Sequence, residues 1–236
     1  MSHKKTKKVN WRLILAGLCF LVAIVLFSLG PIRTYLIQEN IKNRPVMTAQ
    51  TIKENDEGGN FDFSQVSNID IQGVLASRSG KVDLKPVGAI AVPDVKINLP
   101  IYRGVDNLIL FYGAGTMKPD QKMGERNYSL ASHSYSSRSD ILFTPLLDIK
   151  GDEAIYTTDL EYIYEYKVSS HTIVEPTAVE VIDDVAGKTE ITLVTCTTDA
   201  ARRHIIKGNF VKKVPIKEAT QAMKDAFGTD FNSEYF

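Results

Sequence analysis

Three residue types suited to acyl-transfer chemistry stand where strand-like runs begin or end. Cys196 closes E-I-T-L-V-T-C at 190–196, where Ile191, Leu193 and Val194 alternate loosely with threonines, as in a strand with one face in a core. Six residues follow, and a second strand pattern begins at Arg203. So short a connection makes the two strands neighbours and puts Cys196 and Arg203 side by side at one end of a sheet. A thiol beside a fixed cation is an arrangement that favours thiolate, the form that attacks carbonyls. A lone free cysteine is more often buried and inert, so the chemical reading depends on a partner base.

The chain has four histidines. His3 lies in a basic N-terminal tail, and His171 in Ser169-Ser170-His171-Thr172 reads as an exposed strand or loop position. His204 follows Arg203, and alternation along a strand sends those two side chains to opposite faces. His133, at the end of Y-S-L-A-S-H (128–133), remains as the candidate. His133, Cys196 and Arg203 together outweigh the inert reading, which none of them does singly.

The string T-L-V-T-C at 192–196, with Arg203 preceding I-I-K-G, resembles the signature of the sortases, cysteine transpeptidases of Gram-positive cell surfaces. L-A-S-H at 130–133 and Y-G-A-G-T-M at 112–117 resemble the class A, or housekeeping, members. The likeness runs in order from about Val87 to Pro215. Arg203 keeps the family's distance to the following Ile-Ile and Gly208, and the adjacent Arg202 is the alternative.

The resemblance implies a closed eight-stranded β-barrel with short helices. It also implies a mechanism in which Cys196 attacks the Thr carbonyl of a Leu-Pro-x-Thr-Gly sorting signal. His133 would protonate the leaving glycine amine, and Arg203 would steady the oxyanion or the substrate backbone. An amine on a peptidoglycan precursor, lipid II, would then release the acyl group. Ala131, Val181, Ile182 and Val194 are the candidates for the groove that takes Leu and Pro, with Ser132 and Thr195 also placed against the substrate. No cofactor is implied.

These residues need a scaffold, and the chain is long enough to supply one. At 236 residues and 44% hydrophobic content it accommodates one sizeable domain plus an appendage. Its 28 basic and 28 acidic residues balance, but Lys4, Lys5, Lys7, Lys8 and Arg12 cluster at the start. The remainder, 23 basic against 28 acidic, is mildly acidic and gives no reason to expect a nucleic-acid partner.

Leu13–Leu29 carries no charge and is long enough to span a bilayer. Ser28-Leu29-Gly30 has the pattern of a cleavage site, which leaves a signal peptide as an alternative, but Pro31 disfavours it. The lysines ahead of the span orient it with its N-terminus in the cytoplasm. The expected organisation is a cytoplasmic tail over 1–12, a transmembrane anchor over 13–30, a stalk and linker over 31–68, and an extracellular barrel over 69–236. In such a domain Cys196 has no disulfide partner, because the other cysteine, Cys19, falls inside the apolar span. A single exported thiol is itself a pointer to reactivity.

Ile32, Tyr35, Leu36 and Ile41 predict a stalk helix within 32–56 before the Gly58-Gly59 break. Strands are expected over 87–92, 97–102, 129–133, 154–158, 162–168, 191–195 and 205–211, with Pro100 marking an edge or a bulge. A capped helical turn is expected from Ser139 to Phe143, and a terminal helix over 217–227.

The acids Asp183 and Asp184, with Glu180 and Glu190, could contribute to a calcium site of the kind some class A relatives have. The facing loop offers only Asp106 and Asp120, so a solvated loop is the expectation and no metal is assigned. Other readings stay open: an anchored or secreted cysteine hydrolase, a non-enzymatic anchored binding barrel and, within the sortases, a pilin-polymerising type. The Asp-Pro-aromatic lid motif and C-terminal span usual in pilin polymerases are missing from the sequence.

Overall fold

A computed structural model describes residues 11–43, 47–55, 57–62, 72, 73, 75, 84–135 and 140–228. Eight strands close into a barrel: β1 (Pro86–Val92), β2 (Ile97–Tyr102), β3 (Ala114–Thr116), β4 (Asn127–Ala131), β5 (Ala154–Thr158), β6 (Tyr162–Val174), β7 (Glu190–Cys196) and β8 (Arg203–Pro215). Their order around the barrel is β1-β2-β3-β4-β7-β8-β6-β5, with β5 returning to β1. The β2–β3 and β4–β7 pairs are parallel and the rest antiparallel. The barrel is the expected one, and the period-2 pattern explains its two-faced strands. Ile191, Leu193 and Ile206 enter the main core, while Val194 and Ile205 join a separate cluster on the other face.

Several expected boundaries move. The three-residue β3, with a glycine at its centre, was not among the expected strands. A Cβ on Gly113 would strike the Pro100 carbonyl, and one on Gly115 the Gly104 carbonyl, so only glycine lets the chain lie this close to β2 and its continuation. Pro100 pairs with Ala89 of β1 but precedes the two residues of β2 that meet β3, so no ladder bond to β3 is lost there. β4 covers Asn127–Ala131, which leaves His133 two residues past its end. β6 and β8 reach 13 residues each, beyond their expected ends.

The chain from Thr144 to Asp148 forms a 3-10 turn; Ser139, the expected cap of a preceding turn, lies outside the described residues. The apolar span and stalk are one helix, α1 (Trp11–Lys42), which continues through Pro31. Its 32 residues include a stretch long and apolar enough to cross a membrane, none of it buried by protein. The expected stalk helix thus stops at Lys42, and only the short α2 (Ala49–Glu54), capped by Thr48, follows. Of the residues whose spacing predicted the stalk helix, only Ile41 is fully buried. Ile37 and Ile41 are fully buried in the barrel core, while Ile32 and Tyr35 remain exposed. The barrel contributes the missing information, because α1 packs on the turn Ile109–Phe111 and buries whichever face meets it. The expected terminal helix divides into a 3-10 turn, Ile216–Glu218, and α3 (Gln221–Asp225), whose N-cap is Thr220.

Candidate active site

Cys196 is the last residue of β7, and its register partner on β8 is Arg203, the first residue of that strand. The connecting hairpin is held by its own polar groups. Thr197 donates its N–H to the Arg202 carbonyl at 2.9 Å, and Asp199 accepts from the Ala201 N–H at 3.1 Å. One guanidinium nitrogen of Arg203 donates to the carbonyls of Ala200 and Arg202, both at 3.1 Å, leaving its other N–H groups for the groove. Arg202 lies in the exposed hairpin and contributes its carbonyl.

His133 reaches Cys196 by a different route. β4 and β7 run parallel with Ala131 paired to Val194, and the contact continues past the end of β4. Ser132 N–H donates to the Val194 carbonyl at 3.2 Å, Thr195 Oγ1 to the Ser132 carbonyl at 2.9 Å, and Ser134 Oγ to the Cys196 carbonyl at 2.6 Å. Continuing the Ala131–Val194 register by two residues puts His133 level with Cys196. The Ser132 hydroxyl is spent on the Gly113 carbonyl at 2.8 Å, so Ser132 and Thr195 shape the site with bonds internal to the protein.

His133 is 2% exposed. It bonds the Asn107 backbone carbonyl, and its Nε2 has no protein partner, which assigns the Asn107 bond to Nδ1. Phe111 lies against the imidazole with ring centroids 4.8 Å apart. Burial pushes the His133 pKa down to about 4, opposed in part by the Asn107 bond. Burial also raises the Cys196 thiol above its ordinary value, and the charge of Arg203 only partly offsets this. The cation was expected to favour thiolate, but desolvation of a mostly enclosed sulfur is the larger effect. The resting pair is therefore neutral thiol and neutral imidazole.

All three residues line one groove of about 340 Å³, whose wall also includes Ala131, Ser132, Val181, Ile182, Val194 and Thr195. Val105, Leu110, Met117 and Ile205 complete an apolar floor that sequence reasoning missed. Met117 and Ile205 had a signal, since both belong to segments that carried the resemblance. The other two histidines among the described residues are paired with each other: His171 Nε2 and His204 Nδ1 are 2.7 Å apart. Neither lines the groove.

The far wall, around Val179–Ile182, is tied to β4. The buried Asn127 side chain donates to the Asp183 carbonyl at 3.1 Å and accepts from Thr192 Oγ1 at 2.8 Å. Asp184 accepts from Lys118, from Arg126 at 2.9 Å and from the Asn127 N–H at 3.2 Å. Lys118, then the Asn127 N–H and then the charge of Arg126, hold its carboxyl below the usual range against the opposing effect of burial. The loop is exposed over 183–188, as expected of a solvated loop, and its Asp184 is in addition ion-paired. Glu190 is bonded to Lys207 at 2.9 Å, and no cluster of three or more metal-ligating side chains occurs among the described residues.

A buried histidine, a half-enclosed thiol and an arginine share one apolar groove of a β-barrel, and these residue types together could carry out cysteine acyl transfer. A family model for the sortase domain matches residues 90–211. Sortase A of Streptococcus agalactiae is 38% identical over 95% of this chain and 93% of its own length. Sortase A of Listeria monocytogenes is 37% identical over 68% of this chain and 72% of the relative. A crystal structure of the Listeria enzyme superposes with a TM-score of 0.54, covering 59% of this chain and 94% of that one. The chain belongs to the sortase family and resembles its class A members, which makes it a cysteine transpeptidase. Its N-terminal apolar helix fits a membrane-anchored sortase.

Proposed function

We propose that this sortase cleaves a Leu-Pro-x-Thr-Gly sorting signal between Thr and Gly and joins the Thr carboxyl to an amine of a peptidoglycan precursor, lipid II. The observation that carries the reading is the convergence of Cys196, His133 and Arg203 on one apolar groove of about 340 Å³. The floor formed by Val105, Met117, Ile182 and Val194 suits the Leu and Pro side chains.

From the neutral resting pair, Cys196 transfers its proton to the unpartnered Nε2 of His133 as its sulfur attacks the Thr carbonyl. The remaining N–H groups of Arg203 stabilise the oxyanion. The tetrahedral intermediate collapses, the C–N bond breaks, and imidazolium gives its proton to the departing glycine amine. The thioester is then attacked by the incoming amine, which loses a proton to His133 and expels the Cys196 sulfur.

Residues 1–12 lie in the cytoplasm in this reading, 13–30 cross the membrane, and the barrel stands outside, because the lysine cluster flanks the near side of the span. The test is product analysis of a sorting-signal peptide with and without a glycine-type amine. The reading requires an amide-linked product that grows with amine concentration. Release of free Thr carboxylate alone, unaffected by amine, would make the protein a hydrolase.

A further inference from the structure

The end of α1 touches the catalytic histidine's support at several points. Gly30, Arg33, Ile37 and Ile41 recur at helical spacing along one face. A Cβ on Gly30 would come within 3.7 Å of the Tyr135 hydroxyl, and the Arg33 guanidinium lies 5.1 Å from the centroid of the Tyr135 ring. Ile37 and Ile41 are fully buried in the same core cluster as Phe111, and α1 packs on the turn Ile109–Phe111. That turn begins just after Asn107, whose carbonyl binds His133, and Asp106 shapes it by accepting the Leu108 N–H at 2.8 Å. On the other side of His133, Tyr135 N–H donates to Thr144 Oγ1 at 2.8 Å, and Phe143 N–H to the His133 carbonyl at 3.0 Å. The helix that leaves the membrane therefore braces both the ring support of His133 and the residue two beyond it.

We propose that the last three turns of α1 are a positioning element for His133: docked through Ile37 and Ile41 against the Ile109–Phe111 turn, they press Phe111 onto the imidazole and hold Nε2 free for proton transfer. The proposal rests on the reading of His133 as general acid and base. It assigns to the membrane-emergent helix a part in catalysis besides anchorage. Truncating Ile37 or Ile41 opens a cavity behind the turn, lets Phe111 retreat and admits water to the ring. A catalytic group displaced by about 1 Å loses on the order of 10²-fold in rate while substrate binding in the separate groove is retained.

The test uses the full chain in lipid nanodiscs, with Ile37→Ala, Ile41→Ala and, on the exposed face of the same helix, Ile32→Ala. Ring-labelled histidine NMR follows the His133 titration, its signal assigned by its loss in His133→Gln, and acylation kinetics are measured on the same samples. The expected result for Ile37→Ala and Ile41→Ala is a protonation midpoint moved up from about 4 toward the ordinary 6.5. Their kcat falls about 10- to 100-fold at unchanged KM, and Ile32→Ala behaves as wild type. Should the alanine variants fail to fold, Ile37→Val and Ile41→Val are read the same way, with a smaller shift in the same direction. An unchanged His133 midpoint in the folded variants overturns the proposal, as does an equal shift in Ile32→Ala. A wild-type protein that forms no thioester would instead defeat the transpeptidase reading, leaving the titration to decide the positioning role.

Discussion

Cys196 and Arg203 face each other as the terminal register pair of β7 and β8, so the candidate nucleophile and the cation are fixed by strand pairing. Alternation then gives Arg203 and Ile205 to the groove and leaves His204 on the other face, bonded to His171. Arg203→Ala should lower the acylation rate by roughly 10²–10³-fold, the scale of losing one oxyanion donor. Arg203→Lys should recover little, because a point charge does not reproduce the planar fork. Arg202→Ala and His204→Ala should stay near wild type. Pre-steady-state acylation of the four variants, beside circular dichroism, decides this. A large loss confined to Arg202→Ala would move the role by one residue.

The protonation states give a pH dependence of defined sign. With His133 depressed to about 4 and Cys196 raised, the thiolate–imidazolium form is a minor population at neutral pH. The kcat/KM profile for acylation should fall on the acid side below the ordinary imidazole value of 6.5 and on the basic side above the ordinary thiol value of 9.0. An acid limb above the ordinary imidazole value would contradict the burial argument.

Stability should follow the same group. Between pH 6.5 and about 4 the unfolded chain binds the His133 proton and the folded chain does not, so stability falls as pH drops through that window. The contribution is on the order of 3 kcal/mol. His133→Gln, which does not titrate, should lose less stability than wild type over that range in urea unfolding. Parallel losses in the two proteins would mean that His133 is hydrated when folded.

The Lys118–Asp184 and Arg126–Asp184 pairs fasten the groove's far wall to the segment ahead of β4. Lys118→Ala should raise KM for the sorting peptide by up to about fivefold, the scale of one partly exposed ion pair, with kcat little changed. Because Asp184 already has two cationic partners, chelator and added calcium should leave wild-type activity unchanged. Steady-state kinetics with and without chelator test both statements.

Much of this was legible in the sequence because the informative residues are local. Threonine-rich alternation marked β7, the short hairpin brought Arg203 to Cys196, and the uncharged run marked the apolar helix. What was hidden depends on partners far apart in the chain. β3 was not recognised because its close approach to β2 requires glycines, which carry no strand signal. The docking face of α1 was not assigned from the sequence, because Ile32, Tyr35, Ile37 and Ile41 look alike until the Ile109–Phe111 turn selects among them. The balance at Cys196 also went the other way, since the Arg203 charge is visible in a sequence and the burial that outweighs it is not. The Asn107 carbonyl that orients His133 is backbone, and no residue type announces it.

The most direct measurement is intact-mass analysis of the protein mixed with a Leu-Pro-x-Thr-Gly peptide and no added amine. The account predicts an adduct equal to the peptide's acyl portion up to Thr, joined as a thioester that hydroxylamine removes. It should be lacking in Cys196→Ala, which should keep the wild-type circular dichroism spectrum. No adduct on the folded wild-type protein, or an adduct that persists in Cys196→Ala, would contradict the assignment of Cys196 as the nucleophile.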